Sequence, residues 1–201
     1  VPVYEIGRYD GDCLYFTMKC IAGEDLFKVL QRLSWKDRVT EQTFPRERLV
    51  EIAIQAAQAC AYAHVHGVVH RDLKPENILL EQNKECDQIK IIDFRTSIVY
   101  DPSKQLDEKL GTPYYIAPEV LNKNYNSKCD IWSCGVITYI LLSGMPPFNG
   151  QSDQEIMKKV RAGSFSFDDK AWNNISDNCK DFISKLLTYK PEDRPTAAEA
   201  I

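Results

Sequence analysis

No stretch of this sequence is apolar for long enough to cross a bilayer. The longest run, IWSCGVITYILLSG (131–144), is too short and carries Ser133, Thr138 and Ser143, so it reads as a buried core helix. No signal peptide opens the chain, and there is neither a low-complexity segment nor an internal repeat. A net charge of only −4 makes no electrostatic case for nucleic acid or an anionic membrane as partner. None of the seven cysteines stands in a Cys-x-x-Cys pair, and only three histidines occur, so nothing suggests a zinc cluster. The thiols read as free or buried groups of a reducing compartment, the cytoplasm. Two loops for charged ligands are also missing. There is no G-x-G-x-x-G to cradle phosphates and no D-x-[DN]-x-[DN]-G to hold calcium.

What is present is an ordinary globular composition. Of 201 residues, 44% are apolar and 27% charged, which suits one domain or a large lobe with a real core. PVYEI and CLYFTMKC, split by the turn-rich GRYDGD, read as two antiparallel strands. AGEDLFKVLQRL reads as a short helix. Leu49, Ile52, Ala53, Ala56, Ala57 and Cys60 keep a helical period within 45–67, and Gly67 stops it. NILL and IKII are short β runs joined by the polar EQNKECDQ. Helices follow from near Asp130 to Gly144, in SDQEIMKKV and in SDNCKDFISKLLTY. Ser152 with Glu155, and Thr196 with Glu199, have capping-box spacing. The sum is mostly helix with a few short strands, and no linker divides it.

The chemistry concentrates between residues 70 and 93. If 78–80 and 89–92 pair antiparallel, Asn77 comes to lie beside Asp93. One amide oxygen and one carboxylate form a sparse oxygen site of the kind Mg²⁺ accepts when phosphates and water complete its shell. Asp72 and Lys74 stand just upstream in HRDLKPEN. A carboxylate able to take a proton, a cation for developing phosphate charge and a metal clamp are the parts for phosphoryl transfer to a hydroxyl. HRD or Asp-Phe alone would mean little. The full string, with IIDF downstream and APE at 117–119, is a far stronger signal.

These motifs resemble the C-terminal lobe of a eukaryotic protein kinase, over essentially the whole chain. GTPYYIAPEVL, KCDIWSCGVITYILLSGMPPFNG and KLLTYKPEDRPTAAEA are most similar to the calcium-dependent protein kinase and calmodulin-kinase branch. The resemblance implies a protein-kinase-like α+β fold: residues 1–21 as the end of the N-terminal lobe and the hinge, and 22–201 as a mostly helical C-terminal lobe cut in its last helix. Both ends read as cut, from a longer kinase or from a truncated gene. It implies an ATP-dependent serine/threonine kinase using Mg²⁺ and acting on protein substrates with basic residues before the target hydroxyl. Calcium regulation would reside in segments outside this chain.

Roles follow by the same resemblance. Asp72 is the catalytic base, Lys74 contacts the γ-phosphate, Asn77 and Asp93 hold Mg²⁺, and Thr112 closes the site. Met18 is the gatekeeper, the backbone of Lys19 and Ile21 bonds adenine, and Leu79 packs beneath it. Asp25 and Glu76 face a substrate arginine. His70 packs on Phe94, Glu119 pairs with Arg194, and Asp130 braces the catalytic loop. Glu108 either pairs with Arg71 or is a solvated loop charge. His64 and His66 read as helix-end residues.

One residue departs from the family pattern. Arg95 follows Asp93-Phe94 where the pattern has glycine, which removes backbone freedom and adds a cation expected near the metal. The glycine-rich loop and its strand lysine are absent too, so the isolated chain is expected to be inactive. A non-catalytic pseudokinase or interaction scaffold is the alternative.

Overall fold

A computed structural model describes residues 3–9, 13–18, 20, 22–81, 88–101, 104–108 and 110–201, and in the first two strands it describes side chains only at Glu5, Arg8 and Thr17. Strands β1 (Val3–Tyr9) and β2 (Cys13–Met18) form an antiparallel pair of their own, as two β-rich runs on either side of a turn-rich stretch predict. Next come β3 (Gly23–Asp25) and helix α1 (Leu26–Ser34). The helix expected from residue 22 therefore starts four residues late. The Asp25 carboxylate accepts the Lys28 amide at 3.0 Å and caps α1, so the residues before it are free to extend and pair with residues 79–81. Leu26 and Val29 are fully buried on one face of α1. Helix α2 (Arg38–Thr43), capped by Asp37, was not foreseen.

Helix α3 (Arg46–Val65) buries the face set by its sequence period: Leu49, Ile52, Ala53, Ala56, Ala57 and Cys60. A two-stranded pair then joins β4 (Val68–Val69) to β7 (Ile98–Val99). Between them, β5 (Ile78–Glu81) and β6 (Ile89–Ile91) make the expected ribbon. It is two strands of a three-stranded sheet, with β5 central and β3 on its other side. Beyond it lie α4 (Pro118–Leu121), α5 (Lys128–Ser143), α6 (Asp153–Ala162) and α7 (Asp177–Leu186).

Helix α5 is apolar all round because both its faces are covered. Ile131, Cys134, Ile137 and Leu141 pack with the α3 face, Leu73 and Ile78. Trp132, Val136 and Tyr139 turn into a second cluster with Phe148, Trp172 and Ile183. Each fully buried large side chain of this kind contributes about 1.5–3 kcal/mol of hydrophobic stabilisation. The first core lies directly under the loop that carries Asp72, so α5 is the floor of the site.

Candidate active site

The loop between β4 and β5 carries His70, Arg71, Asp72 and Lys74. Its shape is imposed from below. Asp130, in the first turn of α5 and 1% exposed, accepts the amides of His70 (2.9 Å, Oδ2) and Arg71 (2.8 Å, Oδ1). His64 Nε2 lies 2.9 Å from the same Oδ2. Burial opposes the charge on Asp130, but the hydrogen bonds with His64 and His70 prevail and hold its carboxyl below the ordinary value of 3.8. Arg71 sits at φ 69°, a left-handed conformation that costs a non-glycine residue about 1–3 kcal/mol and needs such support. The brace expected at Asp130 is there. The contribution of His64 was missed, since nothing local marks a helix-end histidine as the partner of a residue 66 positions on.

Above this floor, four side chains converge. The Asp72 carboxylate takes Lys74 Nζ at 2.9 Å on Oδ2 and the Thr112 hydroxyl at 2.9 Å on Oδ1. Lys74 also donates to Thr112 Oγ1 at 3.1 Å, closing a triangle. Asn77 Nδ2 donates to the Asp72 carbonyl at 2.8 Å, which leaves the amide oxygen of this buried residue as its free donor atom for a cation. Gly111 brings Thr112 this close. A Cβ at residue 111 would lie 3.1 Å from the Arg71 carbonyl oxygen, and φ there is +111°.

The ribbon does what its pattern predicts. Ile92 N donates to Asn77 O at 2.9 Å, so Asp93 is one residue beyond the position opposite Asn77. Asp93 adopts φ 65°, ψ 66° and starts a 3₁₀ turn over Phe94–Thr96. Phe94 meets the His70 ring edge-on at 5.0 Å, and His70 Nε2 lies 2.9 Å from Ile92 O. The donor set, one amide oxygen and one carboxylate, fits a hard dication that draws its other ligands from phosphate and water. Arg95, however, does not merely stand nearby. Its Nε and Nη2 reach Asp93 Oδ1 and Oδ2, both at 2.7 Å. That fork is the main reason why the Asp93 carboxyl is held below its usual range.

The Arg71 side chain ties this loop to the segment that follows. It donates to Thr96 O at 2.5 Å and to Glu108 at 2.7 Å. Of the two readings of Glu108, the paired one is found. Glu119 and Arg194 form a buried fork at 2.5 and 3.0 Å. Arg194 further donates to the carbonyls of Thr188, Lys128 and Tyr189, so all five of its N–H groups have acceptors.

The remaining expected residues are more loosely placed. Leu79 lies in β5 opposite Asp25, and Glu76 is exposed in the turn just before β5. Asp25 caps α1 and pairs with Lys28 Nζ at 3.0 Å, so its carboxylate already has a cation. Met18 ends β2 without a described side chain, and Lys19 and Ile21 lie outside the described residues.

The chain matches the model of the protein kinase domain over residues 3–201. It is 46% identical to calcium-dependent protein kinase 4 of Plasmodium falciparum (isolate 3D7) over 193 residues, which are 96% of this chain and 35% of that protein. It is 41% identical to calcium-dependent protein kinase 11 of Oryza sativa subsp. japonica over 198 residues, 98% of this chain and 33% of that one. The chain thus spans about a third of the length of these curated relatives.

Proposed function

The chain belongs to the protein kinase domain family, and from that premise we propose that it transfers the γ-phosphoryl group of ATP to serine or threonine hydroxyls of proteins when the phosphate-covering half of the domain is present. The observation that carries this reading is the Asp72–Lys74–Thr112 triangle, with Asn77 held on the Asp72 carbonyl. In the reaction the substrate oxygen bonds to the γ-phosphorus, the bond to the β–γ bridging oxygen breaks, and Asp72 accepts the hydroxyl proton. Lys74 lies within reach of both Asp72 and Thr112, where its charge offsets that building on the phosphoryl oxygens. Asn77 and Asp93 would hold Mg²⁺, which would supply charge to offset that of the phosphates. Substrates with a basic residue before the target suit the exposed Glu76, and Asp25 once released from Lys28. Action in the cytoplasm, and calcium control through segments beyond these residues, complete the reading.

The test is phosphate transfer from labelled ATP to a serine peptide with an arginine three residues upstream. The 201-residue chain alone should give none, because positioning supplies most of the catalysis and half the phosphate clamp is missing. The same chain joined behind the glycine-rich lobe of a relative should be active and should lose that activity in Asp72→Ala. Equal activity of that variant would sink the assignment. A second reading, a partner-binding scaffold without catalysis, is favoured by the Arg95 fork on Asp93. It would take over if the joined protein is inert and Arg95→Gly restores nothing.

A further inference from the structure

Arg95 occupies both oxygens of the carboxylate on which the metal site depends. The contact is built by the backbone. Left-handed Asp93 and the turn after it fold residue 95 back over residue 93. Both neighbours of Arg95 are pinned, Phe94 against His70 and Thr96 through its carbonyl to Arg71 and its hydroxyl to His70 O. Arg95 itself is 84% exposed, so the guanidinium can swing into water without disturbing the core.

We propose that Arg95 is a resident cation of the Asp93 carboxylate, a positioning residue that a divalent metal must displace before Asp93 can act as its ligand. The inference rests on the kinase reading of Asp93 and adds a threshold to it. Metal entry becomes an exchange of one cation for another. The apparent metal affinity falls by the fraction of time the fork is closed. Exposed ion pairs are weak, so the penalty should be about three- to tenfold in dissociation constant. It should also be salt-sensitive, unlike a packing effect.

The experiment titrates the purified chain with Mn²⁺ alone and reads free Mn²⁺ by electron paramagnetic resonance. Arg95→Ala should bind Mn²⁺ about three- to tenfold more tightly than the parent at roughly 50 mM KCl, with the gap narrowing at roughly 0.5 M. Arg95→Lys, which keeps the charge but loses the fork, should fall between them. On an Asp93→Asn background the gain should vanish. Identical affinities for the parent and Arg95→Ala, or a gain that survives Asp93→Asn, overturns the proposal. If those two bind equally and Asp93→Asn binds poorly, the metal site stands and only the resident-cation idea falls. If no variant binds Mn²⁺, the proposal falls, whereas the metal assignment, which counts on phosphate to complete the shell, does not fall with it.

Discussion

Arg194 has its charge fully out of water and every donor satisfied, with its guanidinium carbon 5.1 Å above the Trp132 ring centre. Removing one partner of such a pair strands the other. Arg194→Ala leaves Glu119, 6% exposed, as an unpaired buried carboxylate, at a typical cost of about 3–5 kcal/mol. Arg161, on the exposed face of α6, has no such role, and Arg161→Ala should barely move the unfolding midpoint. Equal denaturant midpoints for the two variants would refute the assignment. Asp130 makes a pH-dependent counterpart. Its pKa is lowered on folding, so its contribution is complete above the unfolded value of 3.8 and fades as pH falls through the lower folded value. Asp130→Asn puts an amide where three donors converge. The stability gap between parent and variant should be wide at about pH 7 and shrink by about pH 3. A gap that is constant with pH would mean the carboxylate charge is irrelevant.

Legibility at this scale follows sequence distance and backbone shape. Asp72, Lys74 and Asn77 stand within six residues and could be read as one group. Glu119 and Arg194 are 75 positions apart and were paired only through resemblance. Arg95 was recognised as a misplaced charge, but its direction was not. The fork depends on Asp93 adopting φ 65°, which no pattern of residue types announces.

Among elements, the central helix is the most constrained. Gly135 of α5 faces the end of α7. A Cβ there would come within 2.9 Å of both Leu186 Cβ and Leu187 Cδ2. Two effects oppose each other in Gly135→Ala. Helix propensity favours alanine by about 1 kcal/mol. Overpacking against a Cβ, which cannot rotate away, costs about 1–3 kcal/mol. The clash should win, giving a net loss of about 1 kcal/mol in thermal or urea unfolding. A gain in stability would show that α7 shifts freely. The long elements were legible because α3 and α5 impose long apolar patterns. The short ones were not. Gly23–Asp25 and Val68–Val69 are too brief to show a period, and their extended state comes from partner strands elsewhere in the chain.

For the molecule as a whole, two cores share one helix. Ile131, Cys134, Ile137 and Leu141 belong to one, and Trp132, Val136 and Tyr139 to the other. Neither core can open without exposing a face of α5, so the two should melt together. The β1–β2 hairpin is different, since its strands hydrogen-bond to each other in a separate two-stranded sheet. Two-stranded hairpins are marginal on their own in water. Native-state hydrogen exchange should therefore rank the amides of β1 and β2 as the first to exchange. Those of α5, with the amides of His70 and Arg71 bonded to Asp130, should exchange only through global opening. Calorimetry should show a single transition whose van't Hoff and calorimetric enthalpies agree. Two resolved transitions, with α5 amides protected through the first, would mean that one core survives alone. The floor of the site would then be separable from the helices that flank it, and Asp72 could lose its triangle with Thr112 while its Asp130 brace stayed intact.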